Sequence, residues 1–182
     1  MGAHLVFIDE SGFLLIPTVR RTWAPRGHTP TLRHHLKREK VSLISALTVS
    51  PQRRHLGLYF RCLPEANFDA AKVADFLRHL LRQVRGSVVV IWDNGSPHKG
   101  EAVRALLRRC SRLRVEALPP YAPELNPDEA VWNQARTALA NGRPHSAGEL
   151  AETLARILVE LGLSQSKLRW CFHQSELPPL LF

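Results

Sequence analysis

Three acidic side chains lie where they could bind divalent metal together. Asp9 follows the apolar run Leu5–Ile8, Asp93 follows Val88–Trp92, and Glu129 lies shortly after a third such run. Because open α/β sheets bind ligands at the ends of their strands, we expect the three to meet at one edge. Mg²⁺ prefers carboxylate oxygens, and two metal ions about 3.5–4 Å apart can stabilise the attacking and leaving oxygens of phosphoryl transfer.

The chain is strongly basic, with a formal net charge of +9 and a sequence pI near 10.3. Such an excess, with arginine outnumbering lysine, indicates binding to a phosphate backbone. The alternative is that an Arg- and Ala-rich composition only reflects a GC-rich genome. Binding to a membrane surface is the weaker competitor, because we find no basic amphipathic helix with a bulky aromatic face.

Length and composition indicate one folded domain. The 182 residues are 45% hydrophobic and contain no low-complexity segment, which is enough for a proper core. No apolar run approaches the ~20 residues of a membrane span, and the first residues do not resemble a signal peptide. Cys62, Cys110 and Cys171 are odd in number and far apart, which disfavours a disulfide framework or a zinc site. We expect a cytoplasmic protein.

Hydrophobic periodicity predicts a mixed α/β order. The predicted strands are Leu5–Asp9, Phe13–Pro17, Val41–Val49, His55–Leu63, Val88–Trp92 and Arg114–Leu118. The predicted helices are Asn67–Arg85 with Asn67 as N-cap, Pro97–Arg112 with Ser96 as N-cap, Asn126–Ala140, and Ser146–Leu161 opened by a capping box. We predict a catalytic domain over residues 1–145 and a C-terminal helical extension, 146–182, packed on the same domain.

Each acid also has a structural interpretation. Asp9 could begin a turn at Ser11-Gly12. Asp93-Asn94-Gly95 is typical of a tight hairpin, but Ser96-Pro97 begins a helix instead of a returning strand. Glu129 would fall at the third position of a helix capped by Asn126, where a glutamate reaches back to the cap backbone. On spacing alone, capping and metal binding are equally favoured for Glu129.

The motifs themselves resemble a known family. Asp9, then Asp93-Asn94 with His98-Lys99, then the proline-rich stretch Leu118–Glu129 followed by Trp132, resemble the catalytic domain of mariner-like DDE transposases. Within that superfamily the bacterial insertion-sequence branch is the most similar, and Trp23–Pro30 also matches it. The resemblance implies an RNase H-like fold, with a mixed central sheet of three N-terminal antiparallel strands followed by alternating helices and strands.

The resemblance also implies the chemistry. It places the third acid at Glu129, with Asp9 bridging two Mg²⁺ or Mn²⁺ ions, Asp93 on one ion and Glu129 on the other. The implied substrate is double-stranded DNA at insertion-sequence ends, with a TA target and a homodimer acting on it. Asp128 departs from the family pattern, which has an apolar residue there. Either it is a first-turn acid favoured by the helix dipole, or it perturbs the third ligand.

Basic residues supply the predicted DNA contacts. Those we single out are Arg26, Arg33, Lys37, Arg38, His98, Lys99, Arg104 and Arg108. For the arginines of the helix after Pro97, a solvated face is the alternative. His98 either touches the substrate or orders the site, and Lys99 either contacts a phosphate or faces solvent. Trp132, at helical spacing with Ala135 and Leu139, is expected in the core instead of stacking on a base.

We therefore expect a metal-dependent DNA transposase catalytic domain that cleaves and transfers strands, nucleoid-associated when bound to DNA. Within enzymes, the alternative is a plain metal-dependent nuclease. Family members carry helix-turn-helix modules before the catalytic domain, whereas Asp9 lies almost at the first residue of this chain. A second alternative is therefore a truncated, non-catalytic DNA-binding or dimerising fragment that modulates a full-length transposase.

Overall fold

A five-stranded mixed sheet forms the centre of the molecule. The computed structural model describes residues 2–16, 20–21, 23–28, 31, 39–93, 95–142 and 144–178. Its strands are β1 (His4–Leu14), β2 (Lys40–Val49), β3 (Leu56–Pro64), β4 (Val88–Trp92) and β5 (Leu113–Ala117). They lie in the order β3-β2-β1-β4-β5. The first three are antiparallel, and β4 and β5 continue from β1 in parallel, which confirms the predicted mixed sheet.

The first strand is longer than predicted. We expected two strands, Leu5–Asp9 and Phe13–Pro17, but β1 pairs with β2 without interruption from Leu5 to Leu14. The prediction was wrong because Ser11-Gly12 makes no turn: both residues pair with the long strand β2. Pairing of β1 with β4 ends at Phe7. Asp9 therefore lies within a strand, but just beyond the end of its parallel neighbour.

In the described part of the chain, five α-helices and two 3₁₀ turns complete the fold. The helices are α1 (Ala70–Gln83), α2 (Glu101–Arg109), α3 (Asp128–Leu139), α4 (Ala147–Gly162) and α5 (Gln165–Gln174), and the turns are Pro97–Lys99 and Pro123–Leu125. The helix α5 was not predicted. Ser146 caps α4 as predicted, since its side chain accepts a hydrogen bond from the Glu149 N–H.

Two predicted helix starts are wrong. The cap of α1 is Asp69, whose carboxylate accepts from the Lys72 N–H, while the side chain of Asn67 contacts Lys40 on β2. The helix predicted from Ser96-Pro97 is a 3₁₀ turn, and α2 begins only after Gly100. A Cβ atom at Gly100 would lie 2.1 Å from that of Ala70. The helix is interrupted at Gly100 because α1 passes too close to leave room for a side chain.

Strand alternation sends successive residues of β1 to two cores. Phe7 packs in the layer with α3, α4 and α5, whereas Ile8 packs in the layer with α1 and α2. The next two residues continue this alternation, so Asp9 faces the α3 layer and Glu10 faces the α1 layer. No helix among the described residues is long and apolar enough to cross a membrane.

Candidate active site

The first acid, Asp9, is anchored from both sides of its strand. Its backbone pairs with Ser45 on β2, and its Oδ2 accepts a 2.8 Å hydrogen bond from the indole Nε1 of Trp132 on α3. Burial is the main cause that raises the pKa of Asp9 to about 7; the negative charges of Glu129 and Glu10 act in the same direction, and the Trp132 hydrogen bond opposes them. A carboxylate held against such repulsion favours a cation beside it.

The second acid, Asp93, follows β4 directly and has an exposed side chain. Its Oδ1 accepts a 2.8 Å hydrogen bond from the Gly95 N–H. The same oxygen lies 2.9 Å from Nδ1 of His98 in the following 3₁₀ turn. The predicted strand-to-helix crossing therefore becomes a tight loop that folds back onto its own aspartate.

His98 joins Asp93 to Glu10. Its ring lies parallel to the Trp92 ring, with centroids 4.1 Å apart, and its Nε2 is 2.9 Å from Oε1 of Glu10. The side chain is only 3% exposed. Of the two roles predicted for His98, contact with DNA and ordering of the site, this geometry favours the second.

The protonation of His98 follows from the same contacts. Burial by itself would lower the pKa of His98, but the hydrogen bond and charge of Glu10, together with Asp93, outweigh it and raise the pKa. The imidazole between the two carboxylates therefore keeps its proton to higher pH than a free histidine does. With both nitrogens protonated, it can donate to Glu10 and Asp93 at once.

The third acid, Glu129, lies in the first turn of α3. The N-cap of this helix is Pro127, and the residue before it, Asn126, fixes the start of the helix on the sheet. The Asn126 Oδ1 accepts from the Asp128 N–H, its backbone carbonyl accepts from the Glu129 N–H, and its Nδ2 donates to the Ile8 carbonyl on β1. Among the described residues, no hydrogen bond returns from the Glu129 side chain to the Asn126 backbone. Glu129 lines a cleft of about 380 Å³ together with Asp9 and Asp93.

Asp128, beside Glu129, is completely buried. Its Oδ1 accepts a 2.9 Å hydrogen bond from the Ser45 hydroxyl, and its Oδ2 has no hydrogen-bond partner among the described residues. Burial, then the charge of Asp9, raises the pKa of Asp128 well above its usual value. Asp128 does lie in the first turn of α3, but it is enclosed there, because α3 packs over β2.

The chemistry of the cleft suits a metal ion. Three carboxylates line it, and Glu129 lies close enough to Asp9 to raise its pKa. In the described part of the chain, however, no three His, Cys, Asp or Glu side chains form a ready-made metal cluster. Asp93 instead faces Gly95 and His98. Asp9 and Glu129 would hold metal ions, and Asp93 would join them from the same cleft.

The basic residues are distributed more widely. Arg26, Lys99, Arg104 and Arg108 are exposed, and the last two pair with Glu101. Arg33, Lys37 and Arg38 lie outside the described residues. Arg112, four residues after Arg108, donates to carbonyls at and just after the end of α1, those of Leu81, Val84 and Gly86.

Two functional partners were missed in the sequence. Trp132 was assigned to the core, and it is indeed 1% exposed, but it also hydrogen bonds to Asp9. Glu10, on the opposite sheet face from Asp9, contacts His98. Strand alternation was the available signal for the orientation of Glu10, whereas nothing local indicated that His98 would be buried there.

Comparisons with known proteins agree with this architecture. The structure is similar to the Mos1 strand transfer complex (TM-score 0.68, 22% identity, covering 93% of this chain and 51% of that chain). It is also similar to the Mos1 mariner paired-end complex with Mn (TM-score 0.68, 22% identity, covering 93% of this chain and 52% of that chain). A third similar structure is the catalytic domain of Mos1 mariner transposase (TM-score 0.61, 18% identity, covering 93% of this chain and 76% of that chain).

These likenesses establish the RNase H-like fold. The chain spans about half the length of the Mos1 chains in the first two complexes. No curated protein matches the sequence. The model of the DDE superfamily endonuclease family matches residues 4–151, which is most of the chain and includes all three acids. The chain belongs to the DDE superfamily of endonucleases.

Proposed function

We propose that this chain is a transposase catalytic domain that cuts DNA at the ends of a mobile element and transfers the freed strand to a target. One observation carries the proposal: Asp9, Asp93 and Glu129 line a single cleft on a fold similar to that of the Mos1 catalytic domain. The similar Mos1 structures include a strand transfer complex and paired-end complexes with Mg and with Mn. In the proposal these become the substrate, reaction and cofactors of this chain.

The cleft residues would divide the work as follows. Asp9, Asp93 and Glu129 would hold two Mg²⁺ or Mn²⁺ ions, with Asp9 as the shared ligand and Asp93 and Glu129 each belonging to one ion. Bound metal ions would neutralise charge on the scissile phosphate and on the attacking and leaving oxygens. Trp132 orients Asp9, and His98 holds Asp93 through Oδ1. Such partners of metal ligands fix ligand orientation.

The wider assembly belongs to the same proposal. The chain would act as a homodimer on double-stranded DNA at insertion-sequence ends, with a TA target. It would be a bacterial cytoplasmic protein that associates with the nucleoid. The exposed bases Arg26, Lys99, Arg104 and Arg108 would contact phosphates. Residues 1–145 would form the catalytic domain, with 146–182 as an extension packed on it; α4 already contributes Leu154 and Leu158 to the core with β1 and β2.

A cleavage assay tests the proposal. Supercoiled plasmid carrying element ends is incubated with the protein and Mg²⁺ or Mn²⁺, and nicked product is measured on a gel. Asp93→Asn and Glu129→Gln keep side-chain shape but remove charge, so nicking should disappear in both. Glu116→Gln is the matched control, since Glu116 is an exposed acid on β5 that does not line the catalytic cleft. Equal nicking by all four proteins would contradict the assignment.

A further inference from the structure

A second groove adjoins the catalytic cleft between α3 and α5. It has a volume of about 390 Å³, and its lining includes Glu129 and Asn133 from α3, Trp170 and Gln174 from α5, and Ser175. We call it the α3–α5 groove. Its size falls in the range of small-ligand sites. It shares Pro123, Asn126 and Glu129 with the catalytic cleft, so it begins where the third acid lies.

The groove is a fixed part of the fold. The Glu176 N–H, just after α5, donates a 2.8 Å hydrogen bond to the Glu124 carbonyl in the 3₁₀ turn before α3. Along the helices, Nε2 of Gln134 lies 3.1 Å from the Cys171 sulfur. These contacts hold α5 at a set position beside Glu129. All of α5 lies beyond the family match, which ends at residue 151.

One aromatic ring in the groove faces solvent. The apolar residues Leu168, Cys171 and Phe172 of α5 are buried in the core, whereas Trp170 is 43% exposed. An indole that the core does not need presents a flat surface for stacking. Every nucleobase has a π face, and stacking on an exposed aromatic side chain is a general mode of binding unpaired bases.

The polar lining suits the edge of a base better than a phosphate. Asn133 and Gln174 present carboxamides, which pair with the donors and acceptors of base edges. In the described part of the chain, no Lys, Arg or His lines the groove, and Glu124 and Glu129 add negative charge. A phosphate would be repelled there, whereas a neutral base would not.

We propose that the α3–α5 groove binds one unstacked nucleobase of the DNA strand whose phosphate is cut at Asp9, Asp93 and Glu129. The inference rests on the proposed function, since it needs DNA in the catalytic cleft. The base would stack on Trp170 and hydrogen bond to Asn133 and Gln174, while its phosphate lies outside the groove, in the adjoining catalytic cleft. The ligand is therefore single-stranded or locally melted DNA.

Fluorescence anisotropy with two DNAs tests this inference. Both are duplexes with a single-stranded tail of the same length. One tail carries bases and the other carries abasic sites, so their phosphate backbones are identical. Ca²⁺ replaces Mg²⁺ to suppress cleavage. The wild type should bind the base-bearing tail roughly tenfold more tightly, in line with stacking of one base. Trp170→Leu should abolish this preference, and Trp170→Phe should retain most of it.

A spectroscopic readout identifies the contact. 2-Aminopurine, moved one position at a time along the tail, should lose fluorescence at one position in the wild type and regain it in Trp170→Leu. Leu163→Ala is the control, because Leu163 is 81% exposed outside the groove. Thermal denaturation checks the folding of each variant.

The outcomes separate the two proposals. Equal binding of both tails by the wild type, or a base preference that Trp170→Leu leaves intact, would overturn the nucleobase site. Failure to bind either DNA would count against the proposed function itself. Asn133→Ala with Gln174→Ala should weaken binding of the base-bearing tail without affecting the abasic one.

Discussion

The indole nitrogen of Trp132 donates a 2.8 Å hydrogen bond to Oδ2 of Asp9, which connects the buried centre of α3 to the middle of β1. Trp132 is 1% exposed and meets the Phe13 ring edge-on at a centroid distance of 6.1 Å. Trp132 is held in place by its packing in the core, and it therefore sets the orientation of the first acid. Stability and metal binding consequently depend in part on the same residue.

Trp132→Phe should separate these two roles. The phenyl ring retains much of the packing but has no N–H donor. We expect a loss of about 1 kcal/mol in the free energy of unfolding and roughly tenfold weaker activation of cleavage by Mn²⁺. Phe13→Leu is the matched control, since it weakens packing against the same indole and leaves the hydrogen bond in place. A metal response that shifts equally in both variants would show that Trp132 acts through packing alone.

Metal binding should release a proton from Asp9. Because the pKa of Asp9 is raised to about 7 by burial and by Glu129, a large share of the carboxyl is protonated at pH 6 and little at pH 8. Isothermal titration in two buffers of different ionisation enthalpy should therefore show proton release at pH 6, little at pH 8, and tighter binding as pH rises. Repeating this with His98→Phe excludes the His98 proton. Equal proton release at both pH values would contradict the prediction.

Asp128 should make the protein less stable as pH rises. A pKa raised in the folded state means that the folded protein keeps a proton that the unfolded chain has lost. This contribution to stability is complete below the ordinary pKa and disappears as pH rises through the folded value. Asp128→Asn keeps an acceptor for the Ser45 hydroxyl and does not titrate. Its stability relative to the wild type should therefore increase from pH 5 to pH 9 in urea denaturation.

The control for that measurement is Asp69→Asn. The pKa of Asp69 is lowered by its hydrogen bonds to Lys72, so this carboxylate is ionised in both folded and unfolded chains over the same pH range. The stability difference between Asp69→Asn and the wild type should stay level. Parallel curves for the two variants would mean that Asp128 is not the titrating group.

His98→Phe should impair the site without unfolding the protein. The new ring can still stack on Trp92, but the contacts to Asp93 and Glu10 are lost. Loss of such a supporting partner typically costs about 10–100-fold in metal affinity or activity. The measurement is cleavage rate against Mg²⁺ concentration, with recovery at high metal. His79→Phe, the same change at an exposed position on α1, should leave the rate unaltered.

DNA binding should be salt-sensitive and indifferent to sequence. Lys and Arg contacts to phosphates release counterions, so affinity should fall steeply between about 50 and 200 mM salt, equally for element ends and unrelated DNA. Reversing charge at Arg33, Lys37 and Arg38 should weaken both DNAs together. The same reversal at Arg78, Arg82 and Arg85, exposed around the end of α1, is the control. A large preference for element ends would indicate a base reader in the segment after Ser146.

The local signals in the sequence were sufficient for most of the fold. Alternation and apolar runs predicted the β2–β3 hairpin, and Val88–Trp92 was predicted with the same bounds as β4. The acids were found because motifs carry residue type and order, which need no coordinates. The predicted break between the first two strands was wrong. Ser11-Gly12 resembles a turn in the sequence, but both residues pair with the long strand β2.

Only the tertiary structure decided which groups surround the acids. Ser45, Trp132 and Glu10 contact Asp128, Asp9 and His98 across sequence separations of 83, 123 and 88 residues. No local pattern encodes such pairs, because they depend on how α3 and the 3₁₀ turn dock on the sheet. The same holds for burial: Asp128 and Glu129 are consecutive acids in the first turn of α3, yet one is enclosed and the other lines the cleft. Helical geometry turns neighbouring side chains in different directions, and the packing of the sheet determines which direction is the interior.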